Sequence, residues 1–302
     1  MSPLLTVQLL AATFLAAAPV VAQESIPAEE FAAQCDNAGG HLRLDADLQV
    51  IGGAGRLSAC SVVLNSHRLQ LQEIRVSSSG FFMIEGQPDG ELLVEQSTLS
   101  QDTETQEPVN ILLRAHHLRI QSTVVDFAGT VHLETGMGDE GLMEVELCLL
   151  RARSADVKVG ASGNFERGSS TVRASALVAA TDIQITASFR EPGLRGGTVD
   201  LEESALISSG NIVLQTGDQG QTQVHGNGII RATGTVTMTS AEQGETEVDE
   251  NLVFGEQVQI TSGGRTEARA NNFLGSGDVL IAGPVCEAEN NIPDYRCRTQ
   301  DL

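Results

Sequence analysis

Two arginines flank a Pro-Gly pair in the segment Arg190-Glu-Pro192-Gly-Leu-Arg195-Gly-Gly197. Pro followed by Gly specifies a turn, which leaves both guanidinium groups of Arg190 and Arg195 in solvent. Carboxylates gather in three places: Asp139-Glu140 with Glu144 and Glu146, Glu202-Glu203, and Glu242 through Glu250. None has the EF-hand spacing or the Gly-Gly-x-Gly-x-Asp repeat that builds a Ca²⁺ loop, although stacked strands would bring such carboxylates together. Of six histidines only His116 and His117 are neighbours. Adjacent residues of a strand face opposite ways, so this pair is not expected to share a metal. The chain has no Gly-x-Ser-x-Gly elbow, no cysteine with an evident histidine partner and no Gly-x-Gly-x-x-Gly opening a helix. These absences argue against serine and cysteine hydrolases and dinucleotide enzymes. Aromatic residues are 3%, with no Trp and one Tyr, so a sugar site here must be polar rather than built on stacked rings. The expectation is no metal and no cofactor, Ca²⁺ being the one ion the acidic clusters leave open.

Whatever chemistry these residues have is positioned by a recurring strand pattern. It reads Val131-His-Leu133, Val157-Lys-Val159, Ile183-Gln-Ile185, Ile212-Val-Leu214, Val236-Thr-Met238, Val258-Gln-Ile260 and Val279-Leu-Ile281. Successive starts advance by 26, 26, 29, 24, 22 and 21 residues, the range of solenoid repeats too small to bury an apolar face alone. The core is therefore predicted to hold Val157, Val159, Ile183, Ile185, Ile212, Leu214, Val236, Met238, Val258, Ile260, Val279 and Ile281. A second strand follows a variable loop, as in Val145-Glu-Leu147, Val172-Arg-Ala174 and Val199-Asp-Leu201, with apolar and charged residues alternating. A third follows almost at once, as in Leu177-Val, Leu206-Ile and Leu252-Val-Phe254. Before the third strand, Asn227, Asn251, Asn271 and Asn290 occupy equivalent places, preceded in earlier coils by Ser97, Thr123, Cys148 and Ser175. Asn tolerates a tight bend and its amide can bond to the next coil, so a stacked Asn ladder is expected. Less regular segments at Val62, Phe82 and Val109 extend the count to about eight or nine coils, a rod of about 40 Å.

Met1 to Ala22 is uncharged, rich in Leu, Ala and Val, and ends Val20-Val21-Ala22, the form of a secretory signal cleaved after Ala22. No later stretch is long and apolar enough for a membrane span, so none is expected in the mature chain. A formal charge of −22 repels phosphates and excludes nucleic acid as a partner; it keeps a long regular rod from associating through its strands. Ser25 to Cys35 reads as a short amphipathic helix with a Ser cap and Phe31 four residues before Cys35, placed to cover the first coil. Cys35 and Cys60 precede the repeats and Cys286 and Cys297 follow them. Four cysteines allow three pairings, and bridges local to each end suit an extended rod: Cys35 with Cys60 and Cys286 with Cys297. Cys148 reads as a buried small hydrophobe.

Three short strands, Gly-rich bends and an Asn ladder together resemble the right-handed parallel β-helix superfamily, with phrasing like that of filamentous-haemagglutinin-type and pectate-lyase-like repeats over about residues 48 to 292. The rival fold, a β-sandwich, would show hairpin turns between its strands. The Arg190 to Gly197 segment matches the Arg-x-Pro-x-x-Arg signature of pectate lyases. That resemblance implies Arg190 as the proton-abstracting base, Arg195 beside a substrate carboxylate, and Ca²⁺ as cofactor. The family's Trp-x-Asp-His segment has no counterpart here. The expectation is an all-β, right-handed parallel β-helix: signal 1–22, cap 23–47, helix 48–285 and a C-terminal cap 286–302. Its expected role is that of an exported, adhesin-like structural protein, periplasmic, at the surface or extracellular, meeting a protein or polysaccharide. A Ca²⁺-dependent uronate lyase is the alternative.

Overall fold

The computed structural model describes residues 24–86, 89–135, 141–161, 168–187, 197–226, 228–274 and 277–298. Among the described residues strand follows strand, interrupted by one short helix, Ala28–Asn37. Each strand pairs in parallel with its counterpart about one repeat later, as Val131 with Val157, Val157 with Ile183 and Ile183 with Ile212. Parallel pairing between consecutive equivalents is the mark of a solenoid and excludes the hairpins of a sandwich. The chain makes about ten coils, against eight or nine counted from the repeats. Pairing begins earlier than the regular pattern does, at Glu24–Ile26 with Leu48–Ile51, and it runs to Val285–Glu289.

Each coil has three faces. Strands such as Val131–Thr135, Val157–Ala161, Ile183–Ala187 and Ile212–Thr216 stack on the first. Leu142–Glu146, Ser169–Arg173, Thr198–Glu202 and Gln221–His225 stack on the second. Leu149–Ala152, Ala176–Ala179, Ala205–Ser208 and Ile229–Ala232 stack on the third. The connection from first to second face varies in length, and it shortens towards the C-terminus. In the last full coils it disappears into long strands, Thr235–Asp249 and Gln257–Arg269, that serve both faces. Shortening this one corner explains why the repeat contracts from 29 to 21 residues.

Two-residue alternation puts every second side chain inside. Val157, Ile183, Ile185, Ile212, Leu214, Val236, Met238, Val258 and Ile260 are fully buried, Val159 and Ile281 are 1% exposed, and Val279 is 7% exposed. Two strand ends differ from the sequence reading. Leu147 lies beyond Leu142–Glu146, takes a left-handed φ of 54° and is 56% exposed. Ala174 likewise lies beyond Ser169–Arg173, with a left-handed φ of 46°, and is exposed.

The helix covers the first coils with Phe31, Ala32 and Cys35 buried, and its Ala28 N–H donates to Gly52 O. Gly55 permits this approach, because a Cβ there would lie 2.6 Å from Ala28 O. Ser25 is not the cap: it belongs to Glu24–Ile26, and Pro27 is the N-cap residue, its fixed φ suiting a helix start. Disulfides Cys35–Cys60 and Cys286–Cys297, each with Cα atoms 5.9 Å apart, fasten the two ends. At the C-terminal end Tyr295 packs edge-to-face on buried Phe273 at 5.6 Å.

Ile185→Ala is expected to cost about 2–5 kcal/mol, because neighbouring coils cannot collapse into the gap. Val258→Asp, which buries an unpaired charge, is expected to abolish the cooperative transition. Denaturant unfolding checks both; a variant within about 0.5 kcal/mol of the parent would place that side chain outside the core.

Candidate functional site

The corner between second and third faces is the most regular constellation in the molecule. One residue at each coil adopts a left-handed φ, from Gln96 at 49° through Ser122, Ala174 and Glu203 to Glu250 at 59°, Ala270 and Asn290. The bend takes the following N–H and nearby carbonyls out of the strand ladder, and buried backbone groups must find partners. The next side chain supplies them. Ser97 N–H donates to Thr123 Oγ1 at 3.3 Å, Cys148 N–H to Ser175 Oγ at 3.0 Å and Ser175 N–H to Ser204 Oγ at 3.2 Å. Asn251 N–H donates to Asn271 Oδ1 at 3.1 Å and Asn271 N–H to Asn291 Oδ1 at 3.0 Å. Each amide also donates inward: Asn251 to Val224 O, Asn271 to Val248 O and Asn291 to Ala268 O.

The ladder residue of the last coil is therefore Asn291, not Asn290. Asn290 takes the left-handed bend itself, at φ 54°. Both positions suit Asn, one for its backbone tolerance and one for its amide, so residue type alone did not separate them. Asn227 lies outside the described residues. Cys148 is a ladder member as well as a core residue: its single S–H lies within reach of two carbonyls, Glu146 O at 3.0 Å and Ile120 O at 3.3 Å. Burial is the main cause that pushes this thiol up to about 11, against bonds that pull it down, so it is a poor nucleophile.

A second internal ladder runs along the opposite corner, between first and second faces. Hydroxyl pairs meet here: Thr216 with Thr222 at 3.3 Å, Ser240 with Thr246 at 3.1 Å and Ser262 with Thr266 at 3.1 Å. Thr222, Thr246 and Thr266 then donate to Thr239 O, Thr261 O and Ala282 O of the next coil. The sequence carried a signal for it, the six-residue spacing of Thr216 to Thr222 and Ser240 to Thr246.

The outer faces differ in chemistry. On the second face, acids stack on arginines. Arg173 pairs with Asp200 at 3.2 Å and Glu202 at 3.0 Å; Arg269 pairs with Glu267 at 3.0 Å and Glu287 at 2.7 Å; Arg265 also bridges Glu267 and Glu287. Glu144, from the first acidic cluster, pairs with Arg119 at 3.5 Å, and Glu146 accepts from Gln121. Glu247 and Asp249 break the pattern. Among the described residues no Lys or Arg lies in ion-pair distance of either, and Asp249 has His225 Nδ1 at 3.9 Å. Burial, then the charge of Glu247, raise the Asp249 carboxyl above the ordinary carboxylate range, opposed by His225.

From Val124 onward the third face is largely apolar, broken by Arg151, which is ion-paired with Asp126 of the preceding coil, and by Arg231. Val124, Ile207 and Ile229 are about two-fifths exposed there, beside Arg151 and Arg231. A shallow groove of about 500 Å³ follows its corner past Val124, Leu147, Leu149, Ala176, Ala205 and Ile229.

Arg190 and Arg195 lie outside the described residues, as do Asp139 and Glu140, so the lyase-like constellation has no described geometry. His116 precedes the strand His117–Gln121 instead of sharing it, and the two rings meet edge-on at 4.4 Å. Strand alternation therefore does not separate them, because the turn lets both rings lie together. Comparison with known proteins finds no matching family model, no matching curated protein and no matching solved structure. The parallel β-solenoid assignment rests on the strand pairing itself.

Asn291→Ala is expected to cost about 1–3 kcal/mol, since it orphans Asn271 N–H and Ala268 O, whereas Asn290→Gly is expected to be neutral or stabilising. Equal effects in thermal unfolding would refute the ladder assignment. Cys148 adds a pH signature. Its folded pKa is above its unfolded value near 9, so the unfolded chain binds fewer protons between these values and stability falls as pH rises from about 9 to 11, by at most about 2–3 kcal/mol. Cys148→Ser, which repeats the ladder's own Ser residues, should lose that component; superimposable alkaline stability curves for the two proteins would show that the thiol does not titrate as described.

Proposed function

We propose that the chain is an exported, non-enzymatic solenoid that presents long outer faces and corner loops to a protein or polysaccharide at the cell surface or outside the cell. The observation that carries this reading is the segregation of chemistry by face. An arginine-interleaved acidic lattice runs along the second face, and a largely apolar strip, broken by the Asp126–Arg151 pair, runs along the third, each over several coils. An extended partner can read such columns, whose spacing is fixed by the coil repeat. Two disulfides favour an oxidising compartment, in keeping with the uncharged apolar leader Met1 to Ala22. No described helix is long and apolar enough to cross a membrane. Rigid presentation also suits a fold in which no coil can move without breaking bonds to both neighbours.

Two measurements test the proposal. Protein made with its own leader should be recovered outside the cytoplasm and expose one alkylatable thiol per unfolded chain before reduction; five alkylatable thiols would sink the export reading. Purified protein incubated with polygalacturonate and Ca²⁺ should give no rise in ultraviolet absorbance from unsaturated product. A Ca²⁺-dependent rise that is lost in Arg190→Ala would replace the structural reading with the uronate lyase.

A further inference from the structure

Stacking makes the outer positions of the second face into columns, and the column register decides which charges meet. Glu247 and Asp249 are two residues apart on Thr235–Asp249 and so project from the same side. The preceding coil is aligned by Val224 opposite Val248, which sets His225 beside Asp249. One ligand atom from each of His225, Glu247 and Asp249 lies within 4.8 Å of the other two, and all three side chains are half-buried. Elsewhere on this face Asp200 with Glu202, and Glu267 with Glu287, are straddled by arginine. At Glu247 and Asp249 an imidazole stands where an arginine would otherwise be. The backbone N–H of Arg269 donates to Asp249 Oδ1 at 3.1 Å, which orients the carboxylate and leaves Oδ2 turned to His225. Arg269's own guanidinium is committed to Glu267 and Glu287.

We propose that His225, Glu247 and Asp249 form a binding site for one first-row divalent cation, with Zn²⁺ as the reference ion. Bonds of about 2.0–2.2 Å to imidazole nitrogen and carboxylate oxygen require ligand atoms roughly 3–4 Å apart, which small side-chain rotations from the present spacing provide. Two carboxylates balance the ion's charge, and the imidazole favours Zn²⁺ over Ca²⁺ or Mg²⁺, which prefer oxygen ligands. Three protein ligands leave a position for water or for a donor group of a bound partner. The ion joins two successive coils where no arginine among the described residues is ion-paired to Glu247 or Asp249, so it acts as a local clamp on the stack. Nothing in this inference depends on whether the solenoid is exported or enzymatic.

Calorimetric titration of the chelator-treated full chain with ZnCl₂ tests it. The expected result is one saturable site per chain, a rise in melting temperature with excess Zn²⁺, and little competition from equimolar Ca²⁺. His225→Gln and Glu247→Gln should each weaken binding at least ten-fold while leaving the circular dichroism spectrum unchanged. Unchanged Zn²⁺ affinity in His225→Gln, or non-saturable binding shared equally by Ca²⁺, would overturn the site. If either variant fails to fold, NMR of the parent protein decides. Zn²⁺ should shift the ring resonances of His225 and leave those of the other five histidines in place; an unmoved His225 overturns the proposal.

Discussion

Each coil must return to a point about 4.8 Å above its start, because only there do its amides meet the carbonyls of the coil below. That closure condition governs the molecule. Strand segments meet it at no extra cost, since parallel ladders use every backbone group. Corners do not, because a sharp bend rotates amides and carbonyls away from their partners and leaves them buried. The two internal ladders answer this at two different corners. At the corner of second and third faces, a left-handed residue makes the bend and the next side chain, Ser, Thr, Cys or Asn, stands in for the lost partners. At the corner of first and second faces, paired Ser and Thr hydroxyls do so.

The same closure condition shapes the surface. Stacking repeats any outward residue type every 4.8 Å, and two like charges at that distance repel by about 0.9 kcal/mol in water, more where solvent is partly excluded. A chain with net charge −22 cannot tolerate long unbroken acid columns. Arg265 and Arg269 each bridge acids on their own and the next coil, and Arg173 holds two acids of the next coil, which converts repulsion into a lattice. Single exposed pairs of this kind contribute little. Their value here is collective, because they let an acidic surface coexist with tight stacking.

Strand positions were legible from the sequence because closure forces a two-residue alternation, and that alternation survives in Val157 to Ile281 with almost no exceptions. Ladder chemistry was half legible. Asn251 and Asn271 announced themselves, but Asn290 and Asn291 are adjacent, and only the constant 20-residue step from Asn251 to Asn271 to Asn291 picks out the second. The Ser and Thr ladder left only a faint signal, the six-residue spacing of Thr216 to Thr222 and Ser240 to Thr246, since Thr at an inward strand position looks like ordinary strand composition. Register was the missing quantity for the surface. His225 and Asp249 are 24 residues apart, and nothing in either local sequence says that they touch. Variable repeat length, 22 here and 29 there, prevents a fixed offset from finding such pairs.

Closure also decides where novelty can reside. A change inside a strand or ladder propagates to the coils above and below, so the scaffold resists it. Insertions at the corner of first and second faces leave the strands of neighbouring coils in place where those strands re-enter in register, and that corner is where the repeat length varies. Outward substitutions are free in the same sense, limited only by charge balance with the adjacent coil. A histidine in place of an arginine at such a position keeps the stack intact while exchanging a permanent cation for a ligand. His225 is that exchange, and it turns a passive element of charge balance into a place where the surface can hold something.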